Sequence, residues 1–151
     1  MYDDILLATD GTIASENAAS HAIELAETHD ADLHVLYVVD EDVYSAYSGD
    51  EYVDEAEGPE HGLEESGEEA IEAVREAASA TGVDVRGELR HGDPAKTIVD
   101  YADEADADLV VLGTQHRPAE YRALLGSVTD RVLRLTARPA IVVKTEAEAE
   151  G

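Results

Sequence analysis

The 151-residue chain predicts a single-domain α/β fold of three layers: a five-stranded parallel sheet flanked by four helices. Three observations lead there. Short, continuous apolar runs recur at Ile5 to Thr9, Leu33 to Val39, Leu109 to Leu112 and Ala140 to Val143. Runs that do not alternate suit strands covered on both faces, as parallel strands are. Between them lie segments of helical periodicity, and strand–helix alternation calls for right-handed crossovers. A chain of this length buries roughly 68–70% of its unfolded surface, enough for such a core.

The elements follow in order. Ile5-Leu6-Leu7-Ala8-Thr9 is the first strand, ended by Asp10-Gly11. Ser15 is placed to cap a helix with Ala19, Ala22, Ile23 and Ala26 on one face. Leu33 to Val39 is the second strand. Residues 40–63 form an acidic insertion holding Tyr44, Tyr47 and Tyr52, long for a loop in a compact domain. A helix over Glu64 to Thr81 turns Ala70, Ile71, Val74, Ala77 and Ala78 inward and stops at Gly82. Val83 to Arg90 alternates, as a half-exposed edge strand does. In His91-Gly92-Asp93-Pro94, Asp93 is the N-cap and Pro94 the first residue of a helix burying Ala95, Ile98, Val99 and Ala102. Leu109 to Leu112 is the most apolar strand and the expected centre of the sheet. Gly126-Ser127 opens a last helix with Val128, Val132 and Leu135 inward and Arg131 and Arg134 elsewhere. Ala140 to Val143 closes a domain spanning 1–145, and 146–151 is an acidic tail.

Charge excludes several function classes. Thirty-six acids face 10 bases, a net of −26, which makes bare nucleic acid an unfavourable partner. Self-repulsion of this size destabilises a compact state in dilute salt, whereas screening shortens to about 3 Å at 1 M. The balance reads as adaptation to a salty cytoplasm. The opening Met1-Tyr2-Asp3-Asp4 resembles neither a signal peptide nor a spanning helix, so a cytoplasmic location with no membrane partner is expected. There is no Cys, hence no thiol chemistry. The charge is uneven: Met1 to Leu112 carries −27, but Gly113 to Thr145 carries +4, with Arg117, Arg122, Arg131, Arg134, Arg138 and Lys144. Those arginines either pair with acids on neighbouring helices or meet an anion.

In open α/β sheets, ligands bind beyond the carboxyl ends of strands, where the strand order reverses. Two ends stand out. Thr9-Asp10-Gly11 offers a carboxylate to a ribose or a base, or else forms an Asx turn. Gly113 to Ser127 is a glycine-bounded loop delivering a Ser to a helix start, where free N–H groups attract phosphate. Arg117 or Arg122 could add charge there. The simpler alternative is a capped helix after a loop. His21, His29, His34, His61 and His91 show no metal-ligand spacing, and no Ser-His-Asp set assembles.

From about Tyr2 to Lys144 the chain resembles the universal stress proteins. The matching pieces are Ile-Leu-Leu-Ala-Thr-Asp-Gly at 5–11, Leu-Tyr-Val-Val-Asp at 36–40 and His-Gly-Asp-Pro at 91–94. Val-Val-Leu-Gly-Thr at 110–114, Leu-Leu-Gly-Ser-Val at 124–128 and Arg-Pro-Ala-Ile-Val-Val at 138–143 add to them. The resemblance implies strand order 3-2-1-4-5 and a homodimer made through the last strand, Ala140 to Val143. It also implies an adenine-nucleotide site for ATP or AMP, with Mg²⁺ as an optional companion. Thr9, Asp10 and Val38 would hold adenine and ribose, with Leu112 and Gly113 beside them, and Gly126, Ser127 and Val128 would hold phosphate.

The ATP-binding branch carries Gly-x2-Gly-x9-Gly-Ser/Thr. Gly113, Gly126 and Ser127 match, but His116 replaces the middle glycine. If that position needs positive φ, a His there costs about 1 kcal/mol and its ring crowds the phosphates. Alternatively, His116 and Arg117 contact a phosphate themselves. The expected function is a dimeric, nucleotide-binding stress-response module, with weak ATPase activity at most. The alternative is a nucleotide-free interaction protein whose phosphate loop is degenerate.

Overall fold

The structure, a computed structural model, describes residues 2–9, 13–40, 59–116 and 127–146, with the side chains of 13, 14, 59–61, 115, 116, 127 and 146 outside that description. Among the described residues there are five strands and four helices in strict alternation. They run β1 (Asp4–Ala8), α1 (Ile13–His29), β2 (Asp32–Asp40), α2 (Pro59–Ala78) and β3 (Val85–Gly92), then α3 (Pro94–Glu104), β4 (Leu109–His116), α4 (Ser127–Leu135) and β5 (Ala140–Glu146). The sheet is parallel throughout, in the order β3-β2-β1-β4-β5. The expected fold class and strand order therefore hold. The middle position, however, belongs to β1, with β4 beside it.

The apolar runs are continuous because each strand feeds two cores. Ile5, Leu7, Leu33, Val35, Leu109 and Val111 pack against α1 and α2 on one face. Leu6, Leu36, Val110 and Leu112 pack on the other with Ala95, Ile98 and Ala102 of α3 and Val132 of α4. His34, in the same alternation as Leu36, is buried and held 2.9 Å from an Asp4 carboxylate oxygen. Its ring meets Tyr101 edge-on at 6.4 Å. That is a satisfied structural histidine rather than a ligand.

Four local expectations are corrected. Helix α1 begins at Ile13, so Ser15 lies in its first turn, buried, and is no cap. Helix α2 begins at Pro59, five residues earlier than expected, and so takes up the end of the acidic insertion. Ala77 is exposed because it faces an open groove between α1 and α2. Leu135 is 54% exposed, since it ends a helix that leans on α3 more than on the sheet. The tyrosines at 44, 47 and 52 lie outside the described residues.

Gly67 shows how closely α2 approaches the sheet. A Cβ there would lie 2.5 Å from the Tyr37 ring and 2.7 Å from Leu89. Mid-helix Gly→Ala ordinarily stabilises by roughly 1 kcal/mol. Here Gly67→Ala is expected to destabilise by about 1–3 kcal/mol through overpacking, as urea unfolding would register.

The outer face of α2 exposes Glu65, Glu68, Glu69, Glu72 and Glu76, whose like charges repel at i,i+4 spacing. Stability is therefore expected to climb as KCl rises from about 0.1 M to about 2 M, where screening shortens to a few ångströms. A thermal midpoint unmoved by KCl would contradict this.

Candidate functional site

Strand β1 pairs with β2 on one side and β4 on the other, so the crossovers leave it in opposite directions. At the carboxyl ends of these strands, on the α3/α4 face, lies a cavity of about 270 Å³. Ala8 and Thr9 follow from β1, Leu36, Val38 and Asp40 from β2, and Leu112 and Gly113 from β4. Ser15 of α1 reaches its rim. Pro94 and Ile98 enter from the start of α3, and Val128 and Thr129 from the start of α4.

Two helix N-termini thus open onto one cavity. Each presents the positive end of a helix dipole to it. The sequence builds the first of them with care. Gly92 has φ +146°, a conformation glycine tolerates, and a Cβ there would press on the Thr97 hydroxyl at 2.8 Å. Asp93 then caps α3, its Oδ2 accepting from Lys96 N at 3.0 Å, and Pro94 follows at the first turn. At the second, the Thr129 hydroxyl donates to the Gly113 carbonyl at 3.3 Å. That bond ties the start of α4 to β4.

Of the ten residues expected at a site, Thr9, Val38, Leu112, Gly113 and Val128 all line this cavity. His116 ends β4 and Ser127 begins α4, while their side chains lie outside the description. Asp10, Arg117 and Gly126 fall outside the described residues. Sequence reasoning missed Ala8, Ser15, Leu36, Asp40, Pro94, Ile98 and Thr129. The signal for Pro94 and Ile98 was present, because Asp93-Pro94 starts a helix just after a strand end.

The β4 boundary also corrects an expectation. The segment from Gly113 to His116 is not loop: it continues the ladder with β5, pairing Gly113 with Val143 and His116 with Glu146. The backbone at His116 is therefore extended, which any residue adopts. The cost foreseen for a His at a position of positive φ does not arise.

A larger cavity, about 640 Å³, lies between α1 and α2 on the opposite face. It has the greater volume but the poorer chemistry. Its walls combine four alanines and Val74 with small hydroxyl side chains and the carboxylates of Glu16 and Glu69, which disfavour an anion; it shares Thr9 and Ser15 with the smaller cavity and otherwise runs along α1 and α2. The smaller cavity approaches the lower end of ligand-pocket sizes, about 300 Å³, and sits where strand order reverses.

The arginine-rich stretch pairs mostly across helices. Arg131 binds Asp93 at 3.1 Å, and Arg138 binds Asp103 at 2.9 Å and donates to the Ala107 carbonyl at 2.6 Å. Arg134 pairs within its own helix with Asp130 at 3.1 Å. Among the described residues, no group of three His, Asp or Glu side chains could hold a metal, and no helix is long and apolar enough to cross a membrane.

Sheet order and cavity together define a doubly wound α/β protein with a ligand-sized site at its switch point. The family model described as the universal stress protein family matches residues 1–144, and the chain belongs to that family. It is 37% identical over 147 residues to a universal stress protein of Methanocaldococcus jannaschii, covering 95% of this chain and 83% of the relative. Among solved structures it is similar to a universal stress protein from Lactobacillus plantarum, with 30% identity, a TM-score of 0.72 and coverage of 94% and 97%. Two others share the fold at 21% identity. One is a universal stress protein in complex with cAMP, with a TM-score of 0.64 and coverage of 95% and 97%. The other is from Archaeoglobus fulgidus in complex with dAMP, with a TM-score of 0.62 and coverage of 95% and 98%.

The Arg131 guanidinium, with the Lys96 N–H second, holds the Asp93 carboxyl below the usual carboxylate range. A folded-state pKa lowered in this way gives stability that is complete above the unfolded pKa and lost as pH falls through the folded one. Asn caps a helix about as well as Asp, so Asp93→Asn removes the titration while leaving the cap. Its stability deficit is expected to be constant near pH 6 and to shrink toward about pH 3, as denaturant unfolding at both values would reveal.

Proposed function

We propose that the chain is a stress-response module binding an adenine nucleotide, ATP or AMP, in the cavity between β1 and β4. The observation that carries this reading is convergence: two helix N-termini and five expected contact residues surround one cavity at the switch point. Apolar walls from Leu36, Val38, Ile98, Leu112 and Val128 suit a purine, and the positive ends of two helix dipoles suit an anion. The volume suits base and ribose, with phosphates extending toward the start of α4. The cAMP and dAMP complexes of fold relatives lend support at the level of ligand class. In this reading Asp10 serves the ribose, and Gly126, Ser127, His116 and Arg117 serve the phosphates, with Mg²⁺ as an optional companion. The module regulates rather than catalyses.

The reading includes a homodimer formed through Ala140 to Val143. Strand β5 is an edge of the sheet, with Ile141 and Val142 half-buried. Leu133 and Leu135 stand exposed at 44% and 54%. An apolar edge of this kind invites pairing.

Calorimetry with ATP and Mg²⁺ in molar KCl is expected to give saturable heat. Val38→Trp, which fills the cavity from its β2 wall, should remove that heat with circular dichroism unchanged. No heat and no thermal shift at millimolar nucleotide would sink the reading and favour a nucleotide-free interaction protein. His116→Gly separates two roles for the imidazole: weaker binding means that His116 helps hold phosphate, and tighter binding means that it obstructs.

A further inference from the structure

The cavity at the switch point has two walls made by helix starts. Its floor is the sheet, fixed by parallel ladders, but Pro94 and Ile98 belong to α3 while Val128 and Thr129 belong to α4. The spacing of those two helix starts sets both cavity width and the convergence of the two helix dipoles. Below the rim, α3 and α4 meet through Ala95, Ile98, Val128 and Val132. Apolar contact of that kind resists separation but permits small sliding, because it is non-directional.

Two charged ties cross the same helix pair, one at each end. At the cavity end, Arg131 Nη1 lies 3.1 Å from Asp93 Oδ1, and the other Asp93 oxygen accepts from Lys96 N. Asp93 is therefore fixed to the α3 backbone by its capping bond and to α4 by Arg131. At the far end, Arg138, just past α4, binds Asp103 of α3 and the Ala107 carbonyl. Both ties bind the helices together, but only the first adjoins residues that line the cavity.

We infer that Arg131 and Asp93 are a positioning pair that holds the starts of α3 and α4 at the separation an anionic ligand needs. The inference rests on the nucleotide reading and adds to it how the affinity of the site is set. Neither residue lines the cavity; both act through Pro94, Ile98, Val128 and Thr129. The two side chains are 53% and 39% exposed, so the effect is that of a surface ion pair, modest and weakened by salt.

The test measures ATP affinity and dissociation rate, alongside thermal midpoint, for Arg131→Met, Asp93→Asn, the double variant, Arg131→Lys and Arg138→Met. Arg131→Met and Asp93→Asn are each expected to weaken binding about twofold to fivefold, chiefly by faster dissociation. The double variant should lose no more than either single one, because both remove the same tie. Arg131→Lys should recover part of the loss. Arg138→Met should lower the thermal midpoint at least as much while leaving affinity unchanged, which separates positioning from general stability. Equal affinity in Arg131→Met and the unaltered protein overturns this inference alone. So does an affinity loss in Arg138→Met that matches its stability loss. Absence of binding by the unaltered protein overturns the nucleotide reading and this inference with it.

Discussion

Everything at the site depends on how β1 is paired. It holds the middle of the sheet, bound to β2 through Asp4 to Ala8 and to β4 through Ile5 to Leu7. A parallel sheet with right-handed crossovers can place a strand there only if the chain winds outward in both directions. The connections after β1 and β4 then depart to opposite faces and leave a gap at the carboxyl ends. Carboxylate bonds fasten the other end of β1: an Asp108 oxygen accepts from the N–H groups of Asp3 and Asp4 at 2.8 and 3.0 Å. Those bonds hold its carboxyl below the usual range. The gap is thus a product of topology, and side chains only furnish it.

The two helical layers differ in how they are bound to the sheet. Helices α1 and α2 rest on broad apolar contact, with a close approach at Gly67, and are tied to the strands rather than to each other by Asn17, Glu64 and Arg75. Helices α3 and α4 share a narrower core and add directional bonds from Arg90, Arg131 and Arg138. Arg90 reaches Glu104 with both terminal nitrogens and lies over the Tyr101 ring at 4.8 Å. Planar guanidinium groups suit such bidentate and stacked geometry better than ammonium groups do. The positive stretch from Gly113 to Thr145 has its cause here, at least for Arg131 and Arg138.

Much of this was legible in the residues. Unalternating runs such as Ile5-Leu6-Leu7 announced doubly covered strands, and Asp93-Pro94 announced a helix start. The convergence of Thr9 with Leu112 and Gly113 followed from the switch-point rule once strand order was supplied by resemblance. What was illegible depended on tertiary context. Nothing local says that β4 continues through Gly113 to His116, because the extension is stabilised by β5 across the ladder. Leu135 fits an inward stripe with Val128 and Val132 by periodicity, yet Val132 is buried while Leu135, one turn on at the helix end, is exposed. Thr129 and Asp40 gave no warning, since their roles arise only where separate elements meet.

The unequal fastening of the two layers bears on what substitutions the chain can absorb. On the exposed face of α2, an acid can follow an acid because Glu65, Glu68, Glu69 and Glu76 tie no helix to another and Glu72 reaches only Arg75 of its own helix. On the α3/α4 face, an arginine exchanged for glutamate would forfeit a bond between helices and set two carboxylates against each other. Tolerance of added negative charge therefore has a boundary, drawn where helix must be tied to helix. The residual basic stretch marks that boundary in the linear sequence.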